Sequence, residues 1–488
     1  MKLKILIIAI IIIGCNSATM ASDNQINEKN DFSIWQQINQ DGFGSKLNVG
    51  PRGVEIFNNS LISGTANYKI SEWGMSFDDP LRFRDFINIL YKGNDDSYKD
   101  MTSNGLEIFA YNNTSVNQLI GENGILPSGF GDPNNSEVGV IIEFKGYLYA
   151  GIRNSKEGCQ VWRTKNIDET WEQVVTNGFG NKDNTWAMEA EIFNDYLYMG
   201  TMNWNGCELF RTQDGITWES VIGGESNTKA GFGQTDIYVW SMEVYNNHLY
   251  LGTQYGTIWR SADGIIWEPV VAYNNRLASK LKGAYYPEGF KKIFYRTGGI
   301  RNMLVYNDEL YIFTAGGYAV DFKLSNFGKI FSYRTDSLWS RLLFRSAIQG
   351  AEIWKFNSTM DKWMRVIGKK GTDISNRGFG DSENTYFWCV EIYNNSLYVG
   401  TMHVNPFSLT IGREGILHWD ITFDCPKGHG ELWKFNGDVW EKIVGEESSC
   451  EFNDGYNFGI REIKSYKNSL YLYTFNVKTG CELWEYKP

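Results

Sequence analysis

One phrase recurs along this chain, and it leaves few ways for the chain to fold. Its fullest copy is AMEAEIFNDYLYMGTMNWNGCELFRTQDGITWESVIG at residues 187–223. Seven copies align on tetrapeptides ending at Gly64, Gly151, Gly200, Gly252, Phe313, Gly400 and Tyr473. Each holds four short runs of β-branched and aromatic residues, separated by Asn-Asn, Asn-Asp or Asp-Gly turns, which is hairpin chemistry rather than helix chemistry. A four-stranded unit of about fifty residues cannot bury both faces of its sheet alone, so its neighbours must cover it.

The expected fold is therefore all-β, a seven-bladed β-propeller of four-stranded antiparallel blades. The final copy has strands around Arg461–Ser465, Leu470–Phe475 and Cys481–Tyr486, then ends before a fourth. Residues Ile34–Ile38, followed by Gly42-Phe43-Gly44, match the fourth strand and exit turn of other copies, such as Trp171–Val175 before Gly178-Phe179-Gly180. The N-terminal strand is thus expected to pair with the C-terminal blade, close the ring and remove an exposed edge. The 15% aromatic content and 51 glycines suit packed strands and tight turns, so residues 32–488 form one domain.

Residues 1–15 read as a targeting segment. Lys2 and Lys4 precede the apolar run Ile5–Ile13, and Gly14-Cys15 follows. The end of this segment resembles a bacterial lipobox, which implies lipidation of Cys15, a polar tether at 16–31 and an extracytoplasmic domain whose only membrane attachment is the lipid. Cleavage near Ala18–Ala21 would instead give a secreted protein. Cys159, Cys207 and Cys481 occupy one repeat position and read as small buried residues, whereas Cys425 and Cys450 fall in irregular segments of the sixth copy and are a candidate disulfide.

Thr212–Trp218 and Ser261–Trp267 each carry Asp-Gly followed three residues later by Trp. These segments resemble the Asp-box of sialidases and other propellers, one residue shorter than the family pattern. The resemblance supports the fold; in that family the boxes lie away from the catalytic face.

Function is expected where the copies diverge. Five residues before the aligned aromatics Phe57, Phe144, Phe193, Tyr245, Tyr306, Tyr393 and Tyr466 stand Arg52, Gly139, Met188, Trp240, Arg301, Trp388 and Arg461. Arg52, Arg301 and Arg461 with Trp240 and Trp388 would form an arc on the ring axis, able to grip anionic oxygens and stack on sugar rings. Insertions at 66–103, 273–298, 316–349 and 403–428 would wall in that sector on the face of the inter-blade loops, and two of them are rich in Lys and Arg. The net charge of -11 speaks against nucleic acid. A monomeric module binding an anionic glycan or a protein partner follows, without cofactor.

The alternative is a sialidase-like glycoside-cleaving enzyme, in which the arginines hold a carboxylate. Glu189 and Glu462 would then be acid and base, with Tyr238 or Tyr386 as nucleophile, although simple strand alternation turns both glutamates away from the arginine column. His403, His418 and His429 cluster in the sixth copy but lack a short metal-ligand spacing, so no metal is expected.

Overall fold

The structure, a computed structural model, describes residues 35–68, 103–233, 236–254, 256–271, 297–316, 350–357, 362–368, 376–403, 408–411, 419–422, 430–445, 452, 457–476 and 478–487. Cys15, the tether, Cys425, Cys450, His418, His429 and most of the four insertions lie outside the described residues. The strands flanking the insertions run to Asn67, Gly316 and His403, and the strand after the second begins at Thr297.

Among the described residues the chain is antiparallel β-structure without an α-helix. Every repeat opens on a two-residue hairpin turn with positive φ at both positions, as at Asn58-Asn59, Lys145-Gly146, Asn194-Asp195 and Asn246-Asn247. That geometry matches the right-handed twist of the flanking strands, and Asn, Asp and Gly tolerate it best. The strands preceding these turns are β2 (Asn48–Phe57), β6 (Asn135–Phe144), β10 (Trp186–Phe193), β14 (Val239–Tyr245), β18 (Thr297–Tyr306), β22 (Asn384–Tyr393) and β28 (Asn457–Tyr466). Each leads a meander of four strands. The last comprises β28, β29 (Ser469–Asn476), β30 (Leu483–Tyr486) and, from the other end of the chain, β1 (Trp35–Gln37), with Trp35 opposite Tyr486.

The leading strands pack in sequence, β2 on β6, β6 on β10, β10 on β14, β14 on β18, β18 on β22, β22 on β28, and β28 on β2. The glycine that ends the Leu-Tyr tetrapeptide makes this approach possible. A Cβ on Gly64 would lie 2.3 Å from Val138 of the next leading strand, and one on Gly200 would lie 2.5 Å from Val239. Tyrosine hydroxyls bolt neighbouring units together. Tyr245 donates to Asp308 O at 3.1 Å, Tyr306 to Asn395 O at 2.9 Å, Tyr393 to Asn468 O at 2.7 Å and Tyr466 to Asn59 O at 2.5 Å.

The Gly-Phe-Gly turns hold a strained residue in place. Phe43, Phe130, Phe179, Phe232 and Phe379 all have φ between 55° and 59°, which costs a bulky residue about 1–2 kcal/mol. Each stacks on an aromatic of the following meander: Phe109, Trp162, Phe210, Trp259 or Trp433, with centroids 4.1–4.3 Å apart. A pairwise stack offsets strain of that size. At the Asp-Gly turns, Asp214 Oδ1 accepts from Ile216 N and Thr217 N, and Asp263 Oδ1 from Ile265 N and Ile266 N, at 2.7–2.8 Å. Cys159, Cys207, Cys389 and Cys481 are free and buried.

A polar rung joins the first two strands of several repeats. Asn67 donates its amide to Asn48 Oδ1, Asn154 to Asn135, Asn203 to Asn184 and Asn476 to Asn457, each at 2.9–3.0 Å. In the sixth repeat the residue opposite Asn384 is His403, the last residue of β23 (Ser396–His403).

Candidate functional site: a buried cluster of arginines and glutamates

The pairing of leading strand with second strand breaks at a shared place in every repeat, and in five of the seven it also breaks once nearer the start of the leading strand. The shared breaks fall between Pro51 and Val54, Val138 and Val140, Ala187 and Glu189, Val239 and Ser241, Ile300 and Asn302, Phe387 and Cys389, and Ile460 and Glu462. The residue inserted at each break is the divergent one: Arg52 (with Gly53), Gly139, Met188, Trp240, Arg301, Trp388 or Arg461. A bulge kinks the strand and re-aims the side chain it carries. The alternation that turned Glu189 and Glu462 away from the arginines therefore fails here. Glu189 lies in the field of Arg52 and Arg301, and Glu462 in that of Arg461, Arg301 and Arg52.

The three arginines are not equivalent. Arg52 donates from Nε to Gly139 O at 2.8 Å and from Nη2 to Met188 O at 3.0 Å, and its guanidinium lies 4.7 Å from the Trp186 ring. Arg461 lies 4.4 Å from the Trp388 ring, with Nη2 3.6 Å from Glu137 Oε1. Arg301 is 4% exposed and makes no hydrogen bond or ion pair among the described residues. Burial, then the charges of Arg52 and Arg461, push its pKa down to about 9, against the opposing pull of Glu462 and Glu189. Burial also pushes Glu189 up to about 8 despite Arg52 and Arg301, and raises Glu462. At neutral pH the centre thus holds an excess of positive charge. The two glutamates are surrounded by protein yet keep some accessible surface.

On the side of the inter-repeat connections, the arginines and glutamates meet an aromatic wall. Trp240 packs against Tyr238 at 5.7 Å and Tyr386 at 6.1 Å, Tyr386 lies 6.3 Å from Trp388, and Trp388 lies 5.2 Å from Phe475. Tyr238 and Tyr386 thus belong to that wall, two residues before Trp240 and Trp388. Sequence reasoning missed the network beside it. The Tyr68 hydroxyl donates to Glu137 Oε2, and Arg153 Nη1 lies 3.0 Å from the Tyr68 hydroxyl and 3.5 Å from Glu137 Oε2. Glu137 therefore bridges Arg153 and Arg461. Its signal was available, since Glu137 and Trp186 occupy the same repeat position as Tyr238 and Tyr386.

Toward the hairpin turns, the leading strands carry further glutamates. Burial holds Glu191 at about 7 and Glu243 at about 8, the latter also raised by Glu191. Burial raises Glu391 as well, against Lys464 and Ser465, and Lys464 Nζ lies 3.4 Å from Glu55 Oε1. Because these folded-state values lie above the ordinary glutamate value of 4.5, the native state binds more protons than the unfolded chain between those limits. The contribution is complete below about pH 4.5 and is lost as pH rises toward 7–8. The expected result is a melting temperature that falls between pH 5 and 8, with a slope flattened in Glu191→Gln/Glu243→Gln, measured in buffers of equal ionic strength. Equal slopes in the two proteins would remove these residues as the cause.

His403 stands apart from the axis. Its Nε2 lies 3.1 Å from Asp381 Oδ2 and 3.4 Å from Glu383 Oε2.

No family model matches this chain, and no curated protein matches it. Among solved structures it is similar to a catalytically inactive virginiamycin B lyase from Staphylococcus aureus with quinupristin, at 8% identity and TM-score 0.47, covering 92% of this chain and 98% of the other. It is also similar to YCF48 bound to D1 peptide, at 8% identity and TM-score 0.43, covering 94% and 96%. An ancestral GH74 enzyme is similar at 11% identity and TM-score 0.44; the match covers 92% of this chain and 46% of the enzyme.

Proposed function

We propose that this chain is a seven-bladed β-propeller, closed by the pairing of β1 with β30, and that it binds an anionic glycan where its cluster of arginines and glutamates meets the aromatic wall. What supports the ring is the cycle of packing from β2 through β28 and back to β2. The observation that carries the binding reading is Arg301, a buried guanidinium with no direct partner, beside two further arginines whose head groups are already engaged. A carboxylate or sulfate supplies the missing counter-charge, and indole and phenol rings favour the faces of sugars. An acidic protein segment offers the same charge without the rings' preference for a sugar face.

Glu189 favours a second reading. A carboxyl held at about 8 stays protonated at neutral pH and can give a proton to a leaving oxygen, with Glu462 nearby. The two readings separate on one pair of measurements. Sialylated and sulfated glycans are screened for binding on an array, and a fluorogenic sialoside for turnover, using wild type and Arg301→Met. Binding without turnover, lost in the variant, is the expected result. Turnover lost in Glu189→Gln would replace the binding module with an enzyme.

We further propose attachment outside the cytoplasm through a lipidated Cys15. The N-terminal pattern predicts that wild type sediments with membranes and that Cys15→Ser does not. Equal fractionation of both would remove the anchor.

A further inference from the structure

The polar rung of the sixth repeat differs from the others in a way that turns a hydrogen-bond donor into a metal ligand. In the second repeat, the rung asparagine Asn154 donates Nδ2 to Asp132 Oδ2 of its exit turn at 2.9 Å. Asp381 is the counterpart of Asp132, and His403 the counterpart of Asn154. An amide nitrogen has no lone pair to offer a cation, whereas a neutral imidazole nitrogen does.

We propose that Asp381, Glu383 and His403 bind one zinc ion. The three ligand atoms lie within 4.8 Å of one another. Ligands about 2.0–2.1 Å from a tetrahedral zinc sit roughly 3.3–3.4 Å apart. His403 Nε2 lies 3.1 Å from Asp381 Oδ2 and 3.4 Å from Glu383 Oε2, so little movement separates the present arrangement from a coordinated one. The carboxylate of Asp381 is already aimed. Its Oδ1 accepts from Glu383 N at 2.8 Å, leaving Oδ2 toward the imidazole. His403 is 7% exposed, and a buried ligand held by its surroundings costs little to organise. One imidazole and two carboxylates suit zinc better than calcium or magnesium, which prefer oxygen alone. Among the described residues three protein ligands are present, which leaves a fourth position of a tetrahedral ion for another group. The ion would tie the exit turn before β22 to the end of β23.

The test uses the full chain, stripped with chelator, and zinc as the probe. Titration calorimetry and competition with a chromophoric chelator should show one equivalent bound, with a rise in melting temperature. His403→Asn places the repeat's own residue in the rung, so metal-free stability should match wild type while zinc affinity falls at least roughly tenfold. If His403→Asn melts lower without metal, Glu383→Gln, which keeps the shape, should show the same loss of zinc binding. Undiminished binding in both variants would place the ion elsewhere, and an absence of binding in wild type would end the proposal.

Discussion

Arg301→Met should raise the melting temperature of the ligand-free protein and, on the proposed reading, abolish its response to an anionic glycan. Arg301 is a base whose folded-state pKa is about 9, below its ordinary value of 12.5, so folding penalises its charged form. That penalty is complete below about pH 9 and relieved only toward pH 12.5, hence fully present at pH 7. Methionine follows the aliphatic path of the side chain without its charge. Glu189, held at about 8, tolerates the loss by remaining protonated at pH 7, and burial shifts Glu462 in the same direction. Replacing a buried ion pair or triad with apolar groups of similar volume gains on the order of 1–4 kcal/mol, and removing one buried charge that has no direct partner should act in the same direction. Ligand at a hundred times its dissociation constant should stabilise wild type by about 2.7 kcal/mol and the variant not at all. Differential scanning calorimetry with and without ligand reads both effects. A variant melting several degrees lower would mean that Arg301 serves the two glutamates as counter-ion, and the anion-binding reading would fall with it.

Gly139→Val has an opposite and larger effect. A Cβ at this position would lie 2.0 Å from Ala187 O, 2.6 Å from Trp186 Nε1 and 2.8 Å from Met188 Cα. Two of these are backbone atoms of the neighbouring leading strand, so no rotamer change relieves the clash. Moving β10 away also breaks the bridge in which Arg52 joins Gly139 O to Met188 O. Overpacking alone costs about 1–3 kcal/mol. With the lost charge-assisted hydrogen bonds, each worth roughly 1.5–3 kcal/mol, the cost takes a large share of a typical stability of about 5–15 kcal/mol. Thermal or urea unfolding measures it. A variant that melts with wild type would show β6 and β10 to be less closely set than described.

The sequence made the repeating architecture legible because hairpin turns and the Leu-Tyr-x-Gly seat are written in residues with few conformational alternatives. Asn58, Asn194, Asn246 and their counterparts mark turns that need positive φ, and Gly64 or Gly200 mark where the next strand must come close. The divergent column was legible for the same reason, as a departure from a template. What it faced was not. The bulges that bring Arg301 beside Glu189 depend on register rather than residue type, so alternation pointed the wrong way. Nor does an arginine announce that it will spend its hydrogen bonds on carbonyls, as Arg52 does on Gly139 and Met188. The Asp381 turn was readable as side-chain capping, which it is at Oδ1. Only the pairing of β22 with β23 brings His403 to its other oxygen.

The union of β1 with β30 also dictates an order of events. Closing so long a span costs little more than closing a shorter one, since the entropic penalty grows only with the logarithm of length. Time is the larger expense. A ribosome adding roughly 5–20 residues per second needs on the order of a minute to produce β30 after β1 has emerged. Throughout that interval Trp35 lacks Tyr486 and Phe452, the rings it finally packs against at 4.9 and 5.5 Å. Both strand edges stand open to any other extended segment they meet. The first strand to be made is the last to find its place.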